Sequence, residues 1–250
     1  MNVSISSGHG LHVSGAIGLI NESIENRRVT TRVSEILRSA KIQVNEIHDN
    51  VSRNAKDNVN WLIREHNRTT RDLDVQIHFN STSSGAVEDR AIGVEALYRT
   101  GNAETRTIAG RVARAIAESS GLLLRHQWRD VAGTVPVTGI GFLNNTDRPA
   151  VLIEVCFVVS RVDVRIYQEH FENICQAIAA SVVDRVLVDV PPPIEVEPPV
   201  FAPGHEPSEW AENAWRWGIQ NGITDGTNPK IASTREQVVQ LIKNYHETML

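Results

Sequence analysis

Two histidines and a glutamate stand at the ends of apolar runs. Ser7-Gly8-His9-Gly10 follows Val3-Ser4-Ile5-Ser6, His78 closes Leu73-Asp74-Val75-Gln76-Ile77 ahead of Phe79-Asn80, and Glu154 follows Ala150-Val151-Leu152-Ile153. Short apolar runs bounded by turn residues read as buried strands. In open α/β sheets the carboxyl edge of the strands is where ligands bind. An ionisable carboxylate directly after such a run is costly unless it is paired, bound to metal or used in chemistry. Two imidazoles and a carboxylate on one edge are the makings of a metal centre with a built-in base.

Zinc takes nitrogen, oxygen and sulfur ligands in a tetrahedron, and catalytic zinc keeps one position for water. His9 and His78 supply two ligands from strand ends. The third is expected to be a carboxylate facing the same edge, and both Glu22 and Glu25 qualify, seven and four residues before Val29 on the inward face of a helix. Periodicity alone does not choose between them. Glu154 fits the base, because burial at a strand end raises a carboxyl toward neutrality. Taken singly, each residue has a structural reading as well: a Gly-His-Gly triplet marks a turn, and Glu154 could pair with Arg148 or Arg161. The weight comes from the combination.

The elements that must position these groups alternate. Strands are expected at 3–6, 42–47, 73–78, 94–98, 139–143 and 151–155. Helices are expected from an Asn21 cap to about Ala40, over 54–67, over 103–123 and, closing the domain, over 163–186. Strands alternating with helices imply an α/β sheet covered on both faces.

Composition sets the limits. The 250 residues hold one sizeable domain and a small one. No apolar run approaches the ~20 residues of a membrane span. Met1-Asn2-Val3-Ser4-Ile5 carries neither the basic nor the apolar region of a secretory signal. Synthesis in the cytoplasm is therefore expected, with another route to any site outside. Cys156 and Cys175 have the spacing of neither a zinc knuckle nor a redox pair and read as reduced core thiols. Seven of the ten prolines fall between Pro191 and Pro207, in a stretch with four acids and no Lys or Arg, which reads as an extended spacer over 188–207. The residues before it hold 21 basic and 21 acidic side chains, a neutrality that argues against nucleic-acid binding. Beyond it, Trp210, Ala214 and Trp217 share a helix face, Asn221-Gly222 ends that helix, and Thr234 begins another with Val238, Leu241 and Ile242 inward.

The chain resembles the zinc-dependent N-acetylmuramoyl-L-alanine amidases of the amidase 3 type, in the branch of phage endolysins and autolysins. The resemblance rests on Ser7-Gly8-His9-Gly10, Asn21-Glu22-x3-Asn26, Asp72 to Asn80, Gly93-Val94-Glu95-Ala96-Leu97-Tyr98 and Arg148 to Phe157, in the family's order across 1–187. It implies a twisted six-stranded, mostly parallel sheet flanked by helices and one zinc ion held by His9, Glu22 and His78. It also implies Glu154 as the catalytic glutamate, with Asn80 orienting the site; Glu95 and Tyr98 belong to the family motif and read as mainly structural. The loop Arg125-His126-Gln127-Trp128-Arg129-Asp130 departs from the basic-glycine pair of many members and leaves His126 as a candidate substrate contact. The implied substrate is peptidoglycan, cut between N-acetylmuramic acid and L-alanine along an open groove. Another zinc peptidase acting on stem peptides, or a spore or mother-cell autolysin, is the alternative. Residues 208–250 resemble one S-layer-homology repeat, whose family binds secondary cell-wall polymer. A lone copy is expected to bind weakly, gain avidity by oligomerising, or pack on the catalytic domain, and its three tryptophans in eight residues are also what a small core needs. Lytic chemistry without an export signal fits release by a holin or by cell lysis.

Overall fold

The computed structural model describes residues 1–125, 131–184 and Ser208. The chain divides into two compact units, Met1–Val190 and Pro191–Leu250. His126, the spacer and the helix-turn-helix expected over 208–250 lie outside the described residues.

The elements run β1 (Asn2–Ser7), α1 (Glu22–Ser39), β2 (Gln43–Ile47), α2 (Ala55–Arg68), β3 (Leu73–Asn80), β4 (Glu95–Arg99), α3 (Ala103–Ser120), β5 (Thr134–Val137), α4 (Gly141–Asn145), β6 (Ala150–Phe157), α5 (Arg161–Glu169) and α6 (Phe171–Val183). The six strands form one sheet in the order β2-β1-β3-β6-β4-β5. β2, β1, β3 and β6 are parallel. β4 runs antiparallel to β6 and carries β5 parallel to itself. The sheet is thus mostly parallel, as expected, with one reversed pair of strands at its far side.

Alternate strand residues point to opposite faces, and both faces are covered. Val3, Ile5, Val75, Ile77, Val151 and Ile153 share a core with apolar residues of α1, α3 and α6. The other face is smaller: Leu97 and Leu152 pack with Phe142 and Leu143 of α4 and with Ile63 of α2. It also carries a buried ionic knot. Asp74 faces His66 Nδ1 at 2.7 Å and accepts from Arg71 Nε and a second Arg71 nitrogen, each at 2.9 Å.

Three expectations need correction. Residues 139–143 are not a strand: the fifth strand is Thr134–Val137, and Gly141–Asn145 is a short helix. Phe142 and Leu143 are apolar because they plug the smaller core, not because they lie in the sheet. Pro136 is tolerated in β5 because that strand is an edge, pairing with β4 alone. Second, the closing helix is two helices, broken at His170, whose backbone leaves the helical region at φ −120° and ψ 24°. The break lets Ile174, Cys175, Ile178 and Val182 follow the main core. Third, α3 stops at Ser120, because Gly121 takes the left-handed conformation at φ 82°. No helix among the described residues is long and apolar enough to cross a membrane.

Candidate metal centre and catalytic edge

The connection after β1 builds the site. Gly8 N–H donates to Ile77 O at 2.9 Å, tying the tip of β1 to β3 next to His78. Asn21 then caps α1 by accepting from Ser23 N–H at 3.0 Å, which puts Glu22 in the first helical turn. Glu22 is 3% exposed, and its carboxylate is surrounded by donors. Oε2 accepts from Ala16 N–H at 2.6 Å, and Oε1 accepts from Phe79 N–H at 3.0 Å. Oε1 also lies 2.8 Å from His78 Nδ1 and 3.3 Å from His9 Nε2. The two imidazoles meet edge to face, centroids 5.0 Å apart. Donor atoms of His9, Glu22 and His78 all lie within 4.8 Å of one another. Glu25, the alternative left open by periodicity, turns away: it accepts from Tyr167 Oη and from Arg28, each at 2.7 Å.

Several observations fit this trio to a cation. His78 has an acceptor oxygen at each nitrogen, Glu22 Oε1 at Nδ1 and Gln76 Oε1 at Nε2, 3.2 Å away. A neutral imidazole carries one N–H, so one of the two contacts calls for a second positive centre. Burial lowers the pKa of His78, although Glu22 opposes the shift, and this disfavours the imidazolium as that centre. Burial pushes Glu22 upward, but its hydrogen bonds to His78 and His9 outweigh that and hold it well below the usual carboxylate range. His9 Nδ1 is buried with no hydrogen-bond partner among the described residues. The space is also reserved by glycine. A Cβ on Gly8 would enter the His78 ring, and one on Gly15 would meet Glu22 Oε2 and the His9 ring.

Glu154 stands in register with His78 on the neighbouring parallel strand and with Glu95 on the antiparallel one. Directly paired residues project to the same face, so Glu154 shares a face with His78. The sequence suggested a strand ending near Glu154, but β6 continues to Phe157. Its pairing with β3 passes from His78↔Glu154 to Asn80↔Phe157, one extra residue on β6. Bulges of this kind re-aim side chains beside active sites. Part of Glu154 reaches solvent, yet Oε2 is buried without a hydrogen-bond partner among the described residues. Burial, and then the charges of Glu22 and Glu95, push its carboxyl well above the usual range, while Arg125 opposes them. Arg161 pairs with Asp89 at 3.0 Å, and Glu154 makes no ion pair among the described residues.

Among the described residues, Asn80 makes no side-chain hydrogen bond to the trio. Its amide donates to Glu95 Oε1 at 3.0 Å, and Arg125 donates to the same oxygen at 2.7 Å while lying over the Phe157 ring at 4.7 Å. Tyr98 lies in the main core. Glu95 is more than structural filler, since it sits beside Glu154. Its signal in the sequence was an acid opening the apolar run Ala96-Leu97-Tyr98. Asn80, Ser81, Thr82, Ser84, Arg125 and Phe157 help to line a cleft of about 690 Å³ along this edge.

Residues 3–184 match the amidase 3 family model, described as N-acetylmuramoyl-L-alanine amidase. The chain belongs to that family. Two uncharacterised proteins of Clostridium perfringens, one described as a 38.4 kDa protein, are similar to it. They are 29% identical over 196 residues and 26% over 184, covering 76% and 74% of this chain and 54% and 52% of theirs. The chain thus spans about half the length of these relatives. Among solved structures, the catalytic domain of the CD27L endolysin, which targets Clostridium difficile, superposes with a TM-score of 0.63 at 19% identity over 75% of this chain and 99% of that one. The CwlD amidase of Clostridioides difficile, solved with the GerS lipoprotein, gives 0.62 at 16% identity over 74% and 98%. An N-acetylmuramoyl-L-alanine amidase of Clostridium difficile 630 gives 0.62 at 20% identity over 73% and 95%. These likenesses show the fold of an amidase 3 catalytic domain.

Proposed function

We propose that this amidase-family chain hydrolyses the amide between N-acetylmuramic acid and the L-alanine of peptidoglycan, using one zinc ion held by His9, Glu22 and His78. The observation that carries the reading is the convergence of these three side chains, from two strand tips and a helix start, beside Glu154, which stands in register with His78 on the neighbouring strand. Mixed imidazole and carboxylate donors suit zinc. Bound there, zinc would supply Lewis-acid polarisation of the scissile carbonyl and of the attacking water. Glu154 provides the proton traffic: its Oε2 takes a proton as water attacks the carbonyl and returns one to the leaving amine of L-alanine. Glu95 favours the protonated form of Glu154 and Arg125 opposes it, so the pair tunes the base. The cleft lined by Asn80 and Arg125 is the proposed path of the polymer along this edge. Residues 188–207 are read as the spacer and 208–250 as an S-layer-homology-like module holding secondary cell-wall polymer. The biological setting proposed is a phage endolysin that reaches the wall after a holin or cell lysis opens the way.

The test is digestion of purified wall followed by mass analysis. New L-alanine amino termini with intact glycan chains are expected. Activity should disappear with a chelator and return with zinc. Glu154→Gln should lower kcat by about 10²–10⁴-fold, the usual worth of a positioned acid–base group. Undiminished turnover in that variant, or cleavage elsewhere in the stem peptide, overturns the reading.

A further inference from the structure

The metal-centre reading makes a demand on His78 that a neighbour two residues away is built to meet. Gln76 lies in β3 on the same face as His78, is 3% exposed, and places its Oε1 3.2 Å from His78 Nε2. The other ring nitrogen, Nδ1, is the one turned toward Glu22 Oε1. An imidazole that gives a lone pair to a cation through Nδ1 must carry its hydrogen on Nε2, and that buried hydrogen needs an acceptor. Gln76 Oε1 is the acceptor that the structure places at Nε2.

We propose that Gln76 is a positioning residue for the metal centre, its amide oxygen fixing His78 as the Nε2–H tautomer with the Nδ1 lone pair aimed at Glu22 and His9. The inference rests on the metal-centre reading but adds a residue to it. Three features make the contact directional. Gln76 is held in register between Ser6 on β1 and Leu152 on β6, so its backbone is fixed from both sides. Its backbone and that of His78 belong to one strand, which fixes their spacing. The site has no slack at the Nε2 end of the ring, where Gly8 approaches so closely that any β-carbon would collide with it. The asymmetry with His9 is informative: among the described residues that ring's buried Nδ1 has no hydrogen-bond partner, whereas His78 Nε2 has the Gln76 acceptor. A Gln also differs from a carboxylate here, since it orients the ring without adding a third negative charge beside Glu22 and Glu154.

The experiment compares zinc affinity, by competition with a chromophoric chelator, for the full chain and for Gln76→Met, Gln76→Asn and Gln76→Glu. Circular dichroism melts of the chelated proteins confirm folding. Gln76→Met keeps the length and removes the acceptor, and Gln76→Asn keeps the amide and withdraws it. Both should bind zinc ~10–100-fold more weakly, the usual effect of losing an outer partner of a ligating histidine. Gln76→Glu restores an acceptor and should hold zinc at least as tightly as the unaltered chain. Nitrogen-15 spectra of the zinc-loaded chain should show His78 protonated at Nε2. Folded Gln76→Met or Gln76→Asn protein with unchanged affinity overturns the inference, as does Gln76→Glu binding as weakly as Gln76→Met. An unaltered chain that takes up no zinc fails differently, removing the metal-centre reading and this inference with it.

Discussion

Glu154 and Glu22 are both acids at the same edge, and their surroundings separate them. Glu22 has N–H donors on both oxygens and is held below the usual carboxylate range, whereas Glu154 has an Oε2 buried without a hydrogen-bond partner among the described residues and is pushed above that range. Under the proposed function, this separation of two carboxyls divides ligand from proton carrier. The separation has a consequence for stability in the chelated protein. An unfolded glutamate ionises near the ordinary value of 4.5, and Glu154 in the fold ionises well above it. Between those two points the folded chain binds more protons than the unfolded one, so stability falls as pH rises. Glu154→Gln cannot ionise and lacks that slope. Chelated Glu154→Gln should therefore resist denaturant better than the unaltered chain at about pH 7, with the gap closing at low pH where Glu154 is protonated in both states. Denaturation midpoints across the range check this, and two parallel curves would exclude a desolvated Glu154. Under the proposed function, an acid that weakens the fold in this way is the ordinary stability–function exchange.

At the scale of elements, the site depends on a connection that sequence periodicity does not describe. Strand ends carrying His9, His78 and Glu154 were legible because each ends or interrupts an apolar run, and Asn21 was legible as a cap. The choice of Glu22 over Glu25 was not legible from spacing, because both lie on the inward face of α1. It is decided by the connection over 10–20, where Ala16 N–H reaches Glu22 while Tyr167 and Arg28 occupy Glu25. The extra residue of β6 after Glu154 escaped for a related reason: a bulge depends on a partner strand and leaves no period of its own. Residues 139–143 misled because a helix plugging a core and a buried strand are equally apolar. Gly15 is where the connection can be tested. A methyl group there overlaps Glu22 Oε2 and the His9 ring, so one of them must move. Gly15→Ala should cost ~1–3 kcal/mol of stability, as overpacking does, and weaken zinc binding as Glu22 shifts. Denaturant unfolding and metal competition measure the two, and a variant unchanged in both would mean that the connection yields without disturbing the ligands.

Under the proposed function, the molecule has to be held on an insoluble substrate. Among the described residues eight large apolar side chains are exposed: Met1, Leu11, Ile17, Leu19, Ile24, Val51, Val87 and Leu123. All but Met1 lie on connections or helix ends at the edge that carries the trio. Leu11 hydrogen-bonds through its backbone to Asp49 near Val51, Leu19 to Val158 beyond β6, and Leu123 to Val94 ahead of Glu95. Apolar groups at this edge suit close contact once substrate has arrived, but they act at short range. Long-range attraction needs charge, and the residues before Leu187 are balanced at 21 basic and 21 acidic. Retention on an anionic wall is therefore expected to reside in the second compact unit, Pro191–Leu250, as its S-layer-homology-like reading also suggests. A chain cut after Val190 should unfold as one cooperative unit and still split soluble muropeptides, because the ligands, Glu154 and the cleft all precede the cut. It should, however, fail to sediment with purified wall under conditions where the full chain does. Equal sedimentation of the two would move wall binding onto the catalytic edge and its apolar rim, and would leave the C-terminal unit without the role assigned to it.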